Sequence, residues 1–212
     1  MKKKLIELVL AAGMVASMAA CGNTNSSGSA SAGNSKDTSA TAESTDSDLA
    51  YVKDKGTLVV GITDFEPMDY QDENGNWIGF DADLASAFAE SLGVDVEFVE
   101  IDWDNKILEL DGKTIDCVWN GMTLTDEVTS SMSCTTAYCN NAQVVVVPSD
   151  VADKYQDKDS LKDLTFAVES GSAGEAQAQE LGLNYTAVTA QSDALMEFAA
   201  GTSDAAIIDS LM

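Results

Sequence analysis

From residue 57 onward, short apolar runs of strand length alternate with segments of helical periodicity, and this alternation restricts the fold more than any other feature. The run Thr57–Ile62, TLVVGI, reads as a buried strand. Asp72-Glu73-Asn74-Gly75-Asn76 is a turn cluster whose Asn-Gly step signals a hairpin. Leu84, Phe88 and Leu92 then recur at i, i+4 and i+8 as one apolar stripe stopped by Gly93, with Asp81 placed to cap that helix. Residues 94–101 alternate apolar and acidic side chains as a half-buried strand; 105–110 form a short helix and 115–119 another buried strand. Residues 142–148 hold four consecutive valines and read as a central strand. A second alternation follows, with strands over 164–168, 185–188 and 205–208 and helices over 172–181 and 192–200. Strands that alternate with helices pair in parallel through crossovers and carry helices on both faces, so the class is α/β.

The N-terminal segment follows different rules. Lys2, Lys3 and Lys4 precede a mostly apolar stretch over residues 5–20, which is short for a membrane span of roughly 20 apolar residues. It ends in Met18-Ala19-Ala20-Cys21, small residues and then cysteine, the pattern of a lipobox. Residues 1–21 are therefore read as a lipoprotein signal peptide with lipidation at Cys21. The other reading is an ordinary cleaved signal beside an unrelated cysteine. Residues 22–48 are mostly Ser, Thr, Ala, Gly and Asn, cannot offset their ordering entropy, and are expected to form a disordered linker. A lipid, a tether and a folded domain together place the protein, once exported, on the outer face of the cytoplasmic membrane.

After the linker about 160 residues remain, enough for one ordinary domain or two small lobes. The 11 basic residues are all lysine and face 36 acids, for a formal net charge of −25. A field of that sign repels nucleic acid and anionic lipid, so no nucleic-acid partner is expected. Histidine is absent as well, which removes the usual neutral-pH proton shuttle and the commonest metal ligand. Hydrolase triads and metal centres are disfavoured, and no cofactor is expected. Cys117 lies in an apolar strand pattern as a small core residue, whereas Cys134 and Cys139 either pair or stay free.

The ordered set GITDFEPMDY, WIGFDADLASAFAESLG, IDWDNKI, DGKTIDCVWNGMTLTDE, VESGSAGE and DAAIID, within residues 49–212, resembles the extracellular solute-binding proteins of polar amino-acid ABC importers, family 3. The resemblance implies a periplasmic-binding-protein-like fold, two α/β lobes closing on a ligand as a hinged clamp. It divides the chain into a first lobe over 49–142, a hinge strand over 143–148 and a second lobe over 149–212. In such proteins a return crossover would follow the last strand seen here, so the second lobe is expected to be incomplete and the chain a fragment. The implied partners are an amino acid or related amine, ABC permease subunits, and the membrane through lipid on Cys21. The implied protein is a monomer and not an enzyme.

The same resemblance assigns site residues. Phe65 and Trp103 match aromatic walls on the ligand side chain, where a stacked cation gains about 0.5–2 kcal/mol. Core packing is the other reading of Phe65, while Trp103, between Asp102 and Asp104, is expected to expose its ring. Gly121 and Thr123 fall at the carboxyl end of a strand, where open α/β sheets bind ligands. Gly121 admits close backbone approach to an ammonium, and Thr123 offers a hydroxyl and an amide to a carboxylate. Thr125 caps the next helix.

Val128 stands where the family carries an arginine whose guanidinium would hold the ligand carboxylate bidentately. At about 1.5–3 kcal/mol per hydrogen bond to a charged group, its absence lowers affinity tenfold to hundredfold or more, unless other donors replace it. The helix start at Ser172 and Ala173 is the surviving candidate, through free amides and the dipole, although Ser172 would cap that helix in any case. Asp209 matches the acid that pairs with a ligand ammonium, Asp64 is a second acid at the mouth of the first strand, and Glu169 is a candidate contact for the ligand side chain. Together they point to a cationic or amine-bearing ligand; the alternative is solvated acids in a very acidic chain. Two other functions stay open: a surface interaction lipoprotein with a degenerate cleft, favoured by Val128, and an enzyme on the same fold.

Overall fold

The computed structural model describes residues 47–212; the segments read above as a signal peptide with Cys21 and, up to residue 46, as a linker lie outside the described residues. Ser47 opens α1 (Asp48–Lys55) by accepting the Ala50 amide at 3.1 Å, and Gly56 closes it with φ 79°. Asp48 at its start and Lys53 and Lys55 at its end suit the helix dipole. Asp48, read above as the last linker residue, is thus helical.

The chain continues through β1 (Thr57–Ile62), a hairpin of β2 (Tyr70–Gln71) and β3 (Trp77–Ile78), α2 (Phe80–Leu92) and β4 (Asp95–Glu100). A 3-10 turn at Trp103–Asn105 leads into α3 (Lys106–Asp111), then β5 (Cys117–Val118) and α4 (Asp126–Ser131). The first sheet has the order β4-β1-β5 and is parallel throughout. Leu58, Val60 and Ile62 of β1 form its core with Ala85 and Ala89.

Helix α2 corrects two expectations. Its inward face is Ala82, Ala85 and Ala89, whereas Leu84 and Phe88 are exposed, Phe88 by 44%. Two stripes of the same period share this helix. The one with small side chains lets the helix approach β1 closely, and the bulky one turns away, with Phe88 tilted against Trp119 at 5.6 Å. Nor is Asp81 the cap. Gly79 holds that position at φ 122°, where a Cβ would fall 2.3 Å from the Met68 carbonyl oxygen, and Asp81 lies within the first turn as a buried acid.

The second sheet comprises β6 (Gln143–Val146), β7 (Thr165–Glu169), β8 (Asn184–Val188) and β9 (Ala205–Asp209), in the order β6-β9-β7-β8. The helices α5 (Ala173–Leu181) and α6 (Gln191–Ala200) connect its parallel strands. Alternate residues feed two cores. Phe166, Val168, Ala205 and Ile207 pack with Ala178 of α5, while Ala167, Ala206 and Ile208 pack with Ala194 of α6. The valine run expected to be central is an edge strand, antiparallel to β9. Hydropathy reports that a strand is apolar but not how many neighbours it has.

Parallel pairing brings the carboxyl ends of β1, β4 and β5 to one rim of the first sheet, and those of β7, β8 and β9 to one rim of the second. Cys117, Cys134 and Cys139 are free thiols. Among the described residues, no helix is long and apolar enough to cross a membrane. Phe166 is fully buried beneath α5. Phe166→Ala is expected to lower stability by about 3–5 kcal/mol, read as a fall in the urea midpoint.

Candidate functional site

At the first rim, β1 is followed by Thr63, Asp64 and Phe65. Thr63 and Asn120 exchange two buried hydrogen bonds, Thr63 N to Asn120 Oδ1 at 3.2 Å and Asn120 Nδ2 to Thr63 Oγ1 at 2.8 Å. That exchange locks the ends of β1 and β5 together. Phe65, buried, then lies directly on Gly121, where an added Cβ would fall 2.3 Å from its ring. Thr123 is half-buried, and its carbonyl accepts the Thr125 amide at 2.9 Å. Thr125 caps α4 by accepting the Val128 amide at 3.2 Å, as its position predicts. Val128 is buried and brings no polar group to the rim.

Trp103 departs from expectation: it is 6% exposed. Lys106, one turn later, places Nζ 4.9 Å from the centre of its ring and donates to the Trp103 carbonyl at 3.1 Å. The same ammonium donates to the Gly171 carbonyl of the second sheet at 2.9 Å. Gly171, at φ 68°, is pressed so closely on Asp104 that a Cβ would meet its Cα at 2.7 Å. Beside this contact, Thr63, Asp64 and Asp102 face Thr189 and Ala190 across a polar cavity of about 350 Å³.

At the second rim, Glu169 and Asp209 end β7 and β9, both buried. Asp209 accepts from three side-chain amides: Asn141, Gln143 at 2.6 Å, and Gln191. Gln191 also donates to Glu169 at 3.5 Å and accepts the Asp209 amide at 2.7 Å, so one side chain ties both acids to the start of α6. Burial, and next the charge of Asp209, push the Glu169 carboxyl up to about 8. Ser172 caps α5 by accepting the Glu175 amide at 3.1 Å. Glu175 does not close a reciprocal box; it accepts from Gly171 N at 2.7 Å. The Ala173 and Gly174 amides that follow have no acceptor among the described residues.

The site residues read from sequence therefore fall into two groups. Asp64, Phe65, Trp103, Gly121 and Thr123 belong to the first rim, and Glu169, Ser172, Ala173 and Asp209 to the second. Lys106, Gln191, Asn141 and Gln143 are additions. Lys106 had a signal in its i+3 spacing from Trp103 on a helix; the three amides had none, because they come from distant segments.

A second buried acid pair lies behind the first rim. Asp69 is fully buried with both carboxylate oxygens unpartnered, and Asp81 accepts the Tyr138 hydroxyl at 2.8 Å. Burial, and then the charge of Asp81, push Asp69 up to about 8; burial raises Asp81 as well.

The sequence pattern of bacterial extracellular solute-binding proteins, family 3, matches residues 58–179, and the chain belongs to that family. Its fold is the periplasmic-binding-protein-like α/β fold. It is 30% identical over 215 residues to the arginine-binding extracellular protein ArtP of Bacillus subtilis, an alignment covering 99% of this chain and 74% of ArtP. Among solved structures it resembles AncCDT-1, described as an ancestral amino acid-binding protein and precursor of cyclohexadienyl dehydratase. There the TM-score is 0.74 and the identity 36%, over 77% of this chain and 74% of that one. It also resembles the P235GK mutant of ArgBP from T. maritima, with a TM-score of 0.73 and 34% identity over 77% of this chain and 72% of that one.

The raised acids, Asp69 and Glu169 foremost and Asp81 with them, set a pH dependence. Their folded-state values lie above the unfolded ones, so the folded protein holds extra protons between about pH 4 and 8, and stability is lost as pH rises through that window. The melting temperature is expected to fall from about pH 5 to about pH 8.5, with a shallower slope in Asp69→Asn; a slope unchanged by that substitution would assign the effect to other groups.

Proposed function

We propose that this chain is an exported, lipid-anchored receptor that captures an amino acid, or a related amine-bearing solute, between its two rims and delivers it to an ABC importer. The observation that carries the reading is the second rim. There Glu169 and Asp209, two buried acids, lie at the carboxyl ends of neighbouring parallel strands, and a short turn joins Glu169 to the unpaired amides that open α5. Acid suits an ammonium, and a helix N-terminus suits a carboxylate. An α-amino acid carries both groups. The α5 amides take the part that Val128 cannot, and the first rim supplies Phe65, Gly121 and Thr123 opposite. That ArtP is an arginine-binding protein, and AncCDT-1 an amino acid-binding one, supports the same ligand class.

Val128 favours a second reading, a surface lipoprotein whose cleft no longer binds solute. An enzyme is the weaker third reading. It draws on AncCDT-1 being a precursor of cyclohexadienyl dehydratase, but the chain has neither histidine nor arginine to carry proton transfer or anion stabilisation.

A thermal-shift screen against the standard amino acids and polyamines separates the first two. Ligand at 100 times its dissociation constant adds about 2.7 kcal/mol to stability. Asp209→Asn is expected to lower affinity tenfold to hundredfold, the equivalent of about 1.5–3 kcal/mol. No shift with any compound, from folded protein, selects the degenerate-cleft reading. For the anchor, cells fed labelled palmitate are expected to label the wild-type chain and not Cys21→Ala.

A further inference from the structure

Three groups at the junction of the two rims suit a positive charge: the face of Trp103, the buried carboxyl of Glu169, and the Gly171 carbonyl at the tip of the turn between β7 and α5. None is free to receive it from outside. The Lys106 ammonium rests 4.9 Å from the centre of the Trp103 ring and donates to the Gly171 carbonyl at 2.9 Å. Its own residue is 6% exposed, so the charge is held away from water. Glu169, Glu127 and Asp104 supply the surrounding negative field. Lys106 arrives there because α3 begins immediately after the 3-10 turn that carries Trp103, which brings residues three apart onto one helical face. The Ser170-Gly171 turn meets it from the second sheet only because position 171 lacks a side chain; a Cβ would collide with Asp104.

We propose that Lys106 is the specificity-determining residue of the cleft. Its ammonium occupies, from within the chain, the place between the Trp103 ring and the Gly171 carbonyl that a cationic ligand side chain would take, so the cleft prefers amino acids with uncharged side chains to arginine and lysine. This rests on the amino-acid-receptor reading and narrows it. The buried acids Glu169 and Asp209 first suggest a cationic ligand, but burial favours the neutral form of Glu169, which leaves Asp209 for the α-ammonium. A second cation at the same aromatic face would meet like charge in a site shielded from water, where repulsion is weakly screened. It would also have to displace the Gly171 hydrogen bond.

Calorimetric titration of the full chain with L-arginine, L-lysine and the uncharged amino acids tests this, on wild type, Lys106→Gln, Lys106→Met and Lys106→Arg, each first shown to melt cooperatively. In wild type, the best uncharged amino acid is expected to bind at least tenfold more tightly than arginine. Lys106→Gln and Lys106→Met should shift that ratio toward arginine by about tenfold or more, and Lys106→Arg should leave it in place. Preference for arginine or lysine in wild type overturns the inference, even where the neutral variants do not fold. So does a ratio unchanged within twofold in both neutral variants. No binding of any amino acid by any of the four proteins overturns the receptor reading itself, and the inference with it.

Discussion

One side-chain amide, that of Gln191, holds the functional rim of the second sheet together. It donates to Asp209 and to Glu169 and accepts the backbone amide of Asp209, so the ends of β7 and β9 and the start of α6 are fixed to one another through a single residue. The chain needs such a device because acids outnumber bases by 36 to 11 and no arginine is available to pair with a buried carboxylate. An unpaired buried charge is expensive. This protein meets the cost with neutral amides from Asn141, Gln143 and Gln191 around Asp209, and by letting Glu169 hold its proton more tightly.

The first sheet solves the same problem differently. Asp116 is satisfied by the Val59 amide and by Lys55 at 2.5 Å, which fastens α1 to the sheet. Asp69 and Asp81 have no basic partner among the described residues and depend on protonation and on Tyr138. Lysine is thus spent at few internal places, of which Lys106 is the most buried. Its position at the contact between the two sheets makes it both a structural tie and a chemical filter.

Much of this was legible in the linear text. The strand at Thr57–Ile62 matches its expected span, and the alternation of periods yields the parallel pairing that lines up the rims. Asp209 and Glu169 were singled out through the family resemblance, and the structure places both at strand ends of the second sheet. Other features required three dimensions. The two stripes of α2 have the same period, and only proximity to β1 decides that alanine faces inward. Trp103 between two aspartates reads as exposed, yet Lys106 and the incoming Gly171 turn cover it. Gln191 carries no motif; its importance comes from lying at a helix start beside two strand ends that are distant in sequence.

Strand β9 has a further consequence. Ala205 and Ile207 belong to one core, Ala206 and Ile208 to the other, and Asp209 to the rim, all on five consecutive residues. Its ladders to β6 and β7 fix the count between them. Inserting or deleting a single residue here would exchange the two cores and carry the acid off the rim in the same event. Substitution around Asp209 leaves both cores in place, whereas a change in the length of this strand does not.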